Sequence, residues 1–100
     1  MIVVENQIPV KPEYREQFEK LFANGTRYAQ NAQGFVRNEV LRPTKLDVYI
    51  VQTHWESYKT FQNWVKSEDF KKAHSVPAPD EMFAGESHLE IHEVVVSTER

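Results

Sequence analysis

Two kinds of hydrophobic period alternate along this chain, and the order in which they alternate leaves few folds open. Residues 2–10, within MIVVENQIPV, place Ile2, Val4, Asn6, Ile8 and Val10 in one phase, a period of two that reads as a strand. Pro12 stands where a helix can start, and Tyr14, Phe18, Leu21 and Phe22 then form one apolar helical stripe. Asn24-Gly25 marks its end, with a second short helical piece expected over Arg27 to Asn31. Gly34 turns the chain into the strand FVRNEVLRP, which Pro43 ends. Thr44-Lys45 is expected as a tight connection to the strand LDVYIVQTHW, so the two form a hairpin. Ser57 is an N-cap for a helix carrying Phe61, Trp64 and Val65. Ser67, followed by Glu68 and Asp69, caps a second piece that runs through Phe70, Lys71 and Lys72 to His74. Pro77 and Pro79 break SVPAPDEMFAG into a loop with one turn near Met82, and SHLEIHEVVVS is the last strand.

The order is β-α-β-β-α-β over a single domain, residues 1–100. It predicts an α+β, ferredoxin-like fold: a four-stranded antiparallel sheet with helices on one face. The last strand carries aliphatics in both phases, Leu89, Ile91 and Val95 against Val94 and Val96. The third does too, Val48 and Ile50 against Tyr49, Val51 and Trp55. A sheet with one wet face does not need both sets, so the second face is expected to pack on another copy of the chain as a homodimer, a dimeric α+β barrel.

Charge and composition narrow the function classes. A net charge of −3 and a pI near 5.8 predict no nucleic-acid partner and no anionic membrane partner, since both require a basic patch. No apolar run is long enough to span a bilayer, and Glu5 falls where a signal-peptide core would lie, so a cytoplasmic location is expected. The absence of cysteine excludes disulfides, thiolate catalysis, zinc fingers and iron–sulfur ligation.

Three residues stand out as chemistry-bearing. Asn6 points with the aliphatics of the first strand, where an unsatisfied amide costs roughly 1–3 kcal/mol. It either bonds a neighbouring backbone group or lies near the sheet's open end, or it faces a ligand pocket between sheet and helices. Trp64 shares a stripe with Phe61, which suits core packing as well as a pocket wall. His74 ends a helix, where it is either a surface residue or, as a neutral imidazole, a metal ligand. His88 and His92 lie on one strand face about 13 Å apart, a surface pair rather than a metal site. Trp64 and His74 are ten residues apart, roughly 15 Å along a straight helix. The restart at Ser67 bends that path, so both can line one flat, wide ligand with Asn6 on the sheet beneath.

With VVENQIPV, GFVRNEVLRP, YIVQTHWES, FQNWVKSEDFKKAH (W-x9-H) and SHLEIHEVV, the chain resembles the antibiotic biosynthesis monooxygenase (ABM) superfamily over nearly its whole length. Within that superfamily it is similar to the Isd-type heme-degrading monooxygenases. The resemblance implies an oxidoreductase that binds heme as both substrate and cofactor and opens the porphyrin to release iron, using O2 and an external electron donor. It implies His74 as the proximal ligand to heme iron, Asn6 as a distal hydrogen-bond donor near bound oxygen, and Trp64 as the bulky group that forces the porphyrin out of plane. Phe22 and Phe70 are further candidates for heme contact. Several heme-degrading relatives carry first-helix arginines near the positions of Leu21 and Gly25 here. Two other readings stand beside this one: a cofactor-free monooxygenase of aromatic or quinone-like substrates, and a non-catalytic dimeric heme- or ligand-binding protein.

Overall fold

The computed structural model describes residues 1–75 and 78–100. Its strands are β1 (Ile2–Pro9), β2 (Phe35–Leu41), β3 (Val48–Trp55) and β4 (His88–Glu93), and its helices are α1 (Arg15–Gly25), α2 (Tyr58–Val65) and α3 (Glu68–Ala73). The strands form one antiparallel sheet in the order β2-β3-β1-β4. This is the expected ferredoxin-like α+β arrangement.

Local chemistry sets the element ends. Ser57 forms a full capping box: its hydroxyl accepts from the Thr60 backbone N–H while the Thr60 hydroxyl accepts from the Ser57 N–H. Ser67 closes one helix and opens the next. Its hydroxyl donates to the Trp64 carbonyl at 2.7 Å and accepts from the Phe70 N–H at 3.1 Å. One side chain thus makes the bend expected between Trp64 and His74. Gly34 is the position where glycine is required. Its φ is +84°, and a Cβ there would come within 2.4 Å of the Thr60 side chain.

Four boundaries differ from the sequence expectation. Val10 leaves β1 to make an isolated bridge with Phe83. The second short helical piece is a 3-10 turn over Thr26–Tyr28 rather than Arg27 to Asn31. The β2–β3 connection is six residues long, 42–47, because the paired register ends at Leu41 and Ile50 and no tight turn closes at Thr44-Lys45. β4 stops at Glu93, where its pairing with β1 runs out at Ile2, and Val95 and Val96 are 88% and 80% exposed. The turn near Met82 is present as a 3-10 turn, Asp80–Met82. The expected break at Pro77 lies outside the described residues.

The register sorts the side chains into two faces. On the helix side lie Ile2, Val4, Asn6 and Ile8 of β1, Tyr49, Val51, Thr53 and Trp55 of β3, Asn38 and Val40 of β2, and Leu89 and Ile91 of β4. The far face mixes Val3, Val48, Ile50 and Leu41 with Glu5, Arg37, Glu39, His54, Glu90 and His92. The second aliphatic set of β3 is therefore real, and it is interleaved with charge.

Beneath the helices the core is two clusters. Ile8, Val10, Phe18, Tyr49, Val51 and Met82 make one; Ile2, Val4, Ala29, Trp55 and Trp64 make the other. Both draw on β1, and Asn6 is the helix-side residue between them.

Candidate functional site

The helices do not cover the whole sheet. Every residue of β4 is exposed, including the two aliphatics on its helix side, Leu89 at 53% and Ile91 at 38%. Leu89 is the cross-strand neighbour of Asn6 and Ile91 that of Val4. The uncovered strip of sheet is thus an apolar floor with one amide at its inner edge. Asn6 is half-buried, and its side chain makes no hydrogen bond among the described residues. By contrast Asn38, on the same face, donates to Thr53 Oγ1 at 2.7 Å. Of the two readings left open for Asn6, the bonded core amide describes Asn38 instead. The Asn6 amide keeps two N–H donors that no described residue accepts from.

One wall of the cleft comes from α2 and α3. Trp64 is 9% exposed and stacks on Trp55, with centroids 6.1 Å apart and planes at 30°. Phe70 meets Trp64 edge-on at 5.7 Å, and the His74 ring lies over Phe70 at 4.1 Å. Phe70 and Ala73 pack on the Ile2–Val4 cluster, which ties the C-terminal end of α3 to the β1 segment that leads into Asn6.

His74 caps α3 and remains exposed. Its Nδ1 sits 2.8 Å from the Phe70 carbonyl oxygen. A carbonyl only accepts, so Nδ1 carries the hydrogen of this contact. This is the usual arrangement of a metal-binding imidazole: one nitrogen anchored on a backbone carbonyl, the other directed outward as a ligand. The described residues hold no group of three or more His, Asp or Glu side chains able to share a metal ion.

The opposite wall belongs to α1 and the segment before β4. A pocket of about 230 Å³ is lined by Ile8, Phe22, Phe83, Gly85 and Ser87. Phe22 leans on Phe18 at 4.6 Å. Ile8 is two residues beyond Asn6 on the same face, so this pocket continues the cleft. The structure thus gathers Trp64, Phe70 and His74 into one contiguous row, sets Phe22 on the other side, and puts Asn6 between the two core clusters. Gly25, at the end of α1, lies close to the end of α3: a Cβ there would be 3.7 Å from the Ala73 carbonyl oxygen.

Sequence reasoning missed the uncovered floor and the contribution of Phe83, Gly85 and Ser87. Leu89 and Ile91 were visible as one phase of the last strand. That helices would leave this phase bare had no signature in the sequence.

An anionic clamp closes the sheet on the side away from the cleft. Glu19 of α1 accepts from Arg42 Nε and Nη2 at 2.8 and 2.6 Å and from the Tyr49 hydroxyl. The Arg42 and Tyr49 hydrogen bonds hold the Glu19 carboxyl down to about 2, and burial beside that carboxylate raises the Tyr49 phenol. On the far face, burial and then Arg37 lower His54.

Residues 1–76 match the antibiotic biosynthesis monooxygenase family. A heme oxygenase (staphylobilin-producing) of Staphylococcus haemolyticus is 40% identical over 78 residues, 74% of this chain and 73% of the relative. A heme oxygenase (mycobilin-producing) of Mycobacterium tuberculosis is 34% identical over 95 residues, 94% of this chain and 90% of the relative. Among solved structures, the Mycobacterium tuberculosis heme-degrader MhuD with two hemes bound in its active site superposes with a TM-score of 0.82 at 31% identity, covering 99% of this chain and 100% of that one. SnoaB, a cofactor-independent oxygenase from Streptomyces nogalater, shares the fold with a TM-score of 0.79 at 20% identity, covering 99% of this chain and 97% of that one.

Proposed function

Since the chain belongs to the antibiotic biosynthesis monooxygenase family, we propose that it is a heme-degrading monooxygenase whose cleft holds the porphyrin between α3, β4 and α1. The observation that carries this reading is the His74 ring, anchored through Nδ1–H on the Phe70 carbonyl with Nε2 free. The rest of the cleft fits the group. Leu89 and Ile91 offer apolar floor positions, with Glu93 on the same face of β4, Phe22 and Phe70 supply aromatic walls, and the Asn6 amide makes no hydrogen bond among the described residues.

When bound, heme supplies the oxygen activation and is itself the substrate that is opened. The chain's own residues do the following. His74 Nε2 would hold the iron. The Asn6 Nδ2–H would donate toward negative charge developing on the bound group, and as an amide it would do so without titrating. Trp64, held between Trp55 and Phe70, would present a rigid indole edge to the bound group and help set its position. The electrons that turnover consumes would come from an external donor.

We also propose that the protein works as a homodimer in the cytoplasm. Val3, Val48, Ile50 and Leu41 on the far face are the sites a second copy would cover. No helix among the described residues is long and apolar enough to cross a membrane.

Hemin titration of the purified protein tests the heme reading. A saturable Soret shift is expected, lost in His74→Ala. Asn6→Ala should keep both the shift and the fold, with stability within about 0.5 kcal/mol of wild type, and lose heme breakdown under air with ascorbate. The absence of a saturable shift in the wild-type protein would sink this reading and favour a cofactor-free oxygenase. Binding without breakdown in the wild type would leave a heme carrier.

A further inference from the structure

Both tryptophans of the chain lie in one row of touching rings that leads from the cleft to the surface. His74 lies on Phe70 at 4.1 Å, Phe70 meets Trp64 at 5.7 Å, Trp64 stacks on Trp55 at 6.1 Å, Trp55 meets Phe61 at 6.0 Å, and Phe61 meets Tyr58 at 6.3 Å. The inner ring, Trp55, is 1% exposed, and the outermost, Tyr58, is 50% exposed. Core packing explains the contacts. It does not explain why the easily oxidised rings stand at the cleft, in the middle and at the surface, with phenylalanines as spacers.

We propose that Trp64 and Trp55 carry oxidising equivalents from the cleft to Tyr58, so that a stray oxidation at the bound ligand is discharged at the surface. The inference rests on the heme reading for its oxidant, a ferric heme treated with hydrogen peroxide. The step balances as a single-electron transfer. One electron passes from Trp64 to the oxidised centre, Trp55 refills Trp64, and Tyr58 refills Trp55. The Tyr58 O–H bond gives up its hydrogen as this electron and a proton, and the proton goes to water. A one-electron reductant such as ascorbate then supplies the electron and proton that restore the phenol.

Two features favour movement through the row over trapping within it. The Trp55 indole N–H is buried with no hydrogen-bond partner among the described residues, so an electron-deficient Trp55 has no group to take its proton and remains a mobile cation. Tyr58 is the first ring beyond it that is both oxidisable and open to water. The direction is set as well. Indoles give up an electron readily and accept one poorly, so the row does not deliver the electrons that turnover consumes.

The heme-free protein tests the row without its oxidant. Azide radicals made by pulse radiolysis oxidise tryptophan. Tryptophanyl absorption should decay into tyrosyl absorption at a rate independent of protein concentration. Tyr58→Phe should lose that phase, and Tyr28→Phe, an exposed tyrosine outside the row, should keep it. Tyrosyl growth that survives Tyr58→Phe overturns the proposal. So does growth that disappears instead in Tyr49→Phe, which would place the exit in the other core cluster. In the hemin-loaded protein treated with peroxide and a spin trap, the adduct should fall on Tyr58 in excess over Tyr28, and equal labelling overturns the proposal. If hemin fails to bind while the radiolysis phase is present, the heme reading fails and the row stands.

Discussion

The two core clusters share β1 and β3 but are closed in different ways. Around Phe18 the chain is sealed. Phe18, Val10, Tyr49 and Met82 are fully buried, and the Glu19–Arg42–Tyr49 clamp bolts α1 to β2 and β3. Around Trp64 two short helices replace one long one, and their aromatic row ends on an exposed imidazole beside an uncovered strand. The half around Phe18 is the more firmly closed, yet its rim, Ile8, Phe22 and Phe83, lines a cavity of about 230 Å³, so both halves border the space for a ligand. Asn6 sits at the boundary, where neither cluster supplies the packing that would exclude an amide.

The largest expected effect breaks the sealed half. Phe18→Ala removes the aromatic centre of that cluster and should lower unfolding free energy by about 3–5 kcal/mol in urea. A loss under about 1 kcal/mol would mean that stability is not concentrated there. The next test sharpens the contrast within the open half. Ser57→Ala and Ser67→Ala each remove a helix cap and should each cost about 1 kcal/mol. Only Ser67→Ala should weaken hemin binding, because Ser67 sets the bend that carries α3 and His74. Equal hemin affinity in the two variants would show that the bend does not position the imidazole.

The smallest effect concerns pH. Glu19 is held below its ordinary value in the folded chain, so its contribution is fully present above about pH 4.5 and is lost as pH falls toward 2. Thermal melts over that window should show a declining Tm, with a shallower slope in Glu19→Gln. An unchanged slope would remove the clamp from the account of the sealed half.

Much of this was legible along the chain. Ser57 and Ser67 announce helix starts because a short hydroxyl before a helical pattern satisfies orphan backbone donors wherever it occurs. The alternation in β1 and β3 determines which residues share a face, because the strand period is two whatever the tertiary context. Asn6, Trp64 and His74 could be singled out by type and spacing. Less legible was the β2–β3 connection, since pairing depends on the partner strand's register and not on Thr44-Lys45 alone. The extent of β4 was hidden for the same reason: Val95 and Val96 have strand character, but β1 has no residues left to pair with them.

The linear chain specified the order of elements, the caps and the residues able to bind a metal or donate to a ligand, because those follow from local backbone sterics and side-chain chemistry. Tertiary structure alone decided that α1, α2 and α3 leave β4 exposed, that Asn38 finds Thr53 while Asn6 finds no partner among the described residues, and that the Phe70 carbonyl sits against His74 Nδ1. Those outcomes depend on how rigid elements of unequal length pack over a sheet, and the cleft is the part of the sheet that the helices are too short and too bent to cover.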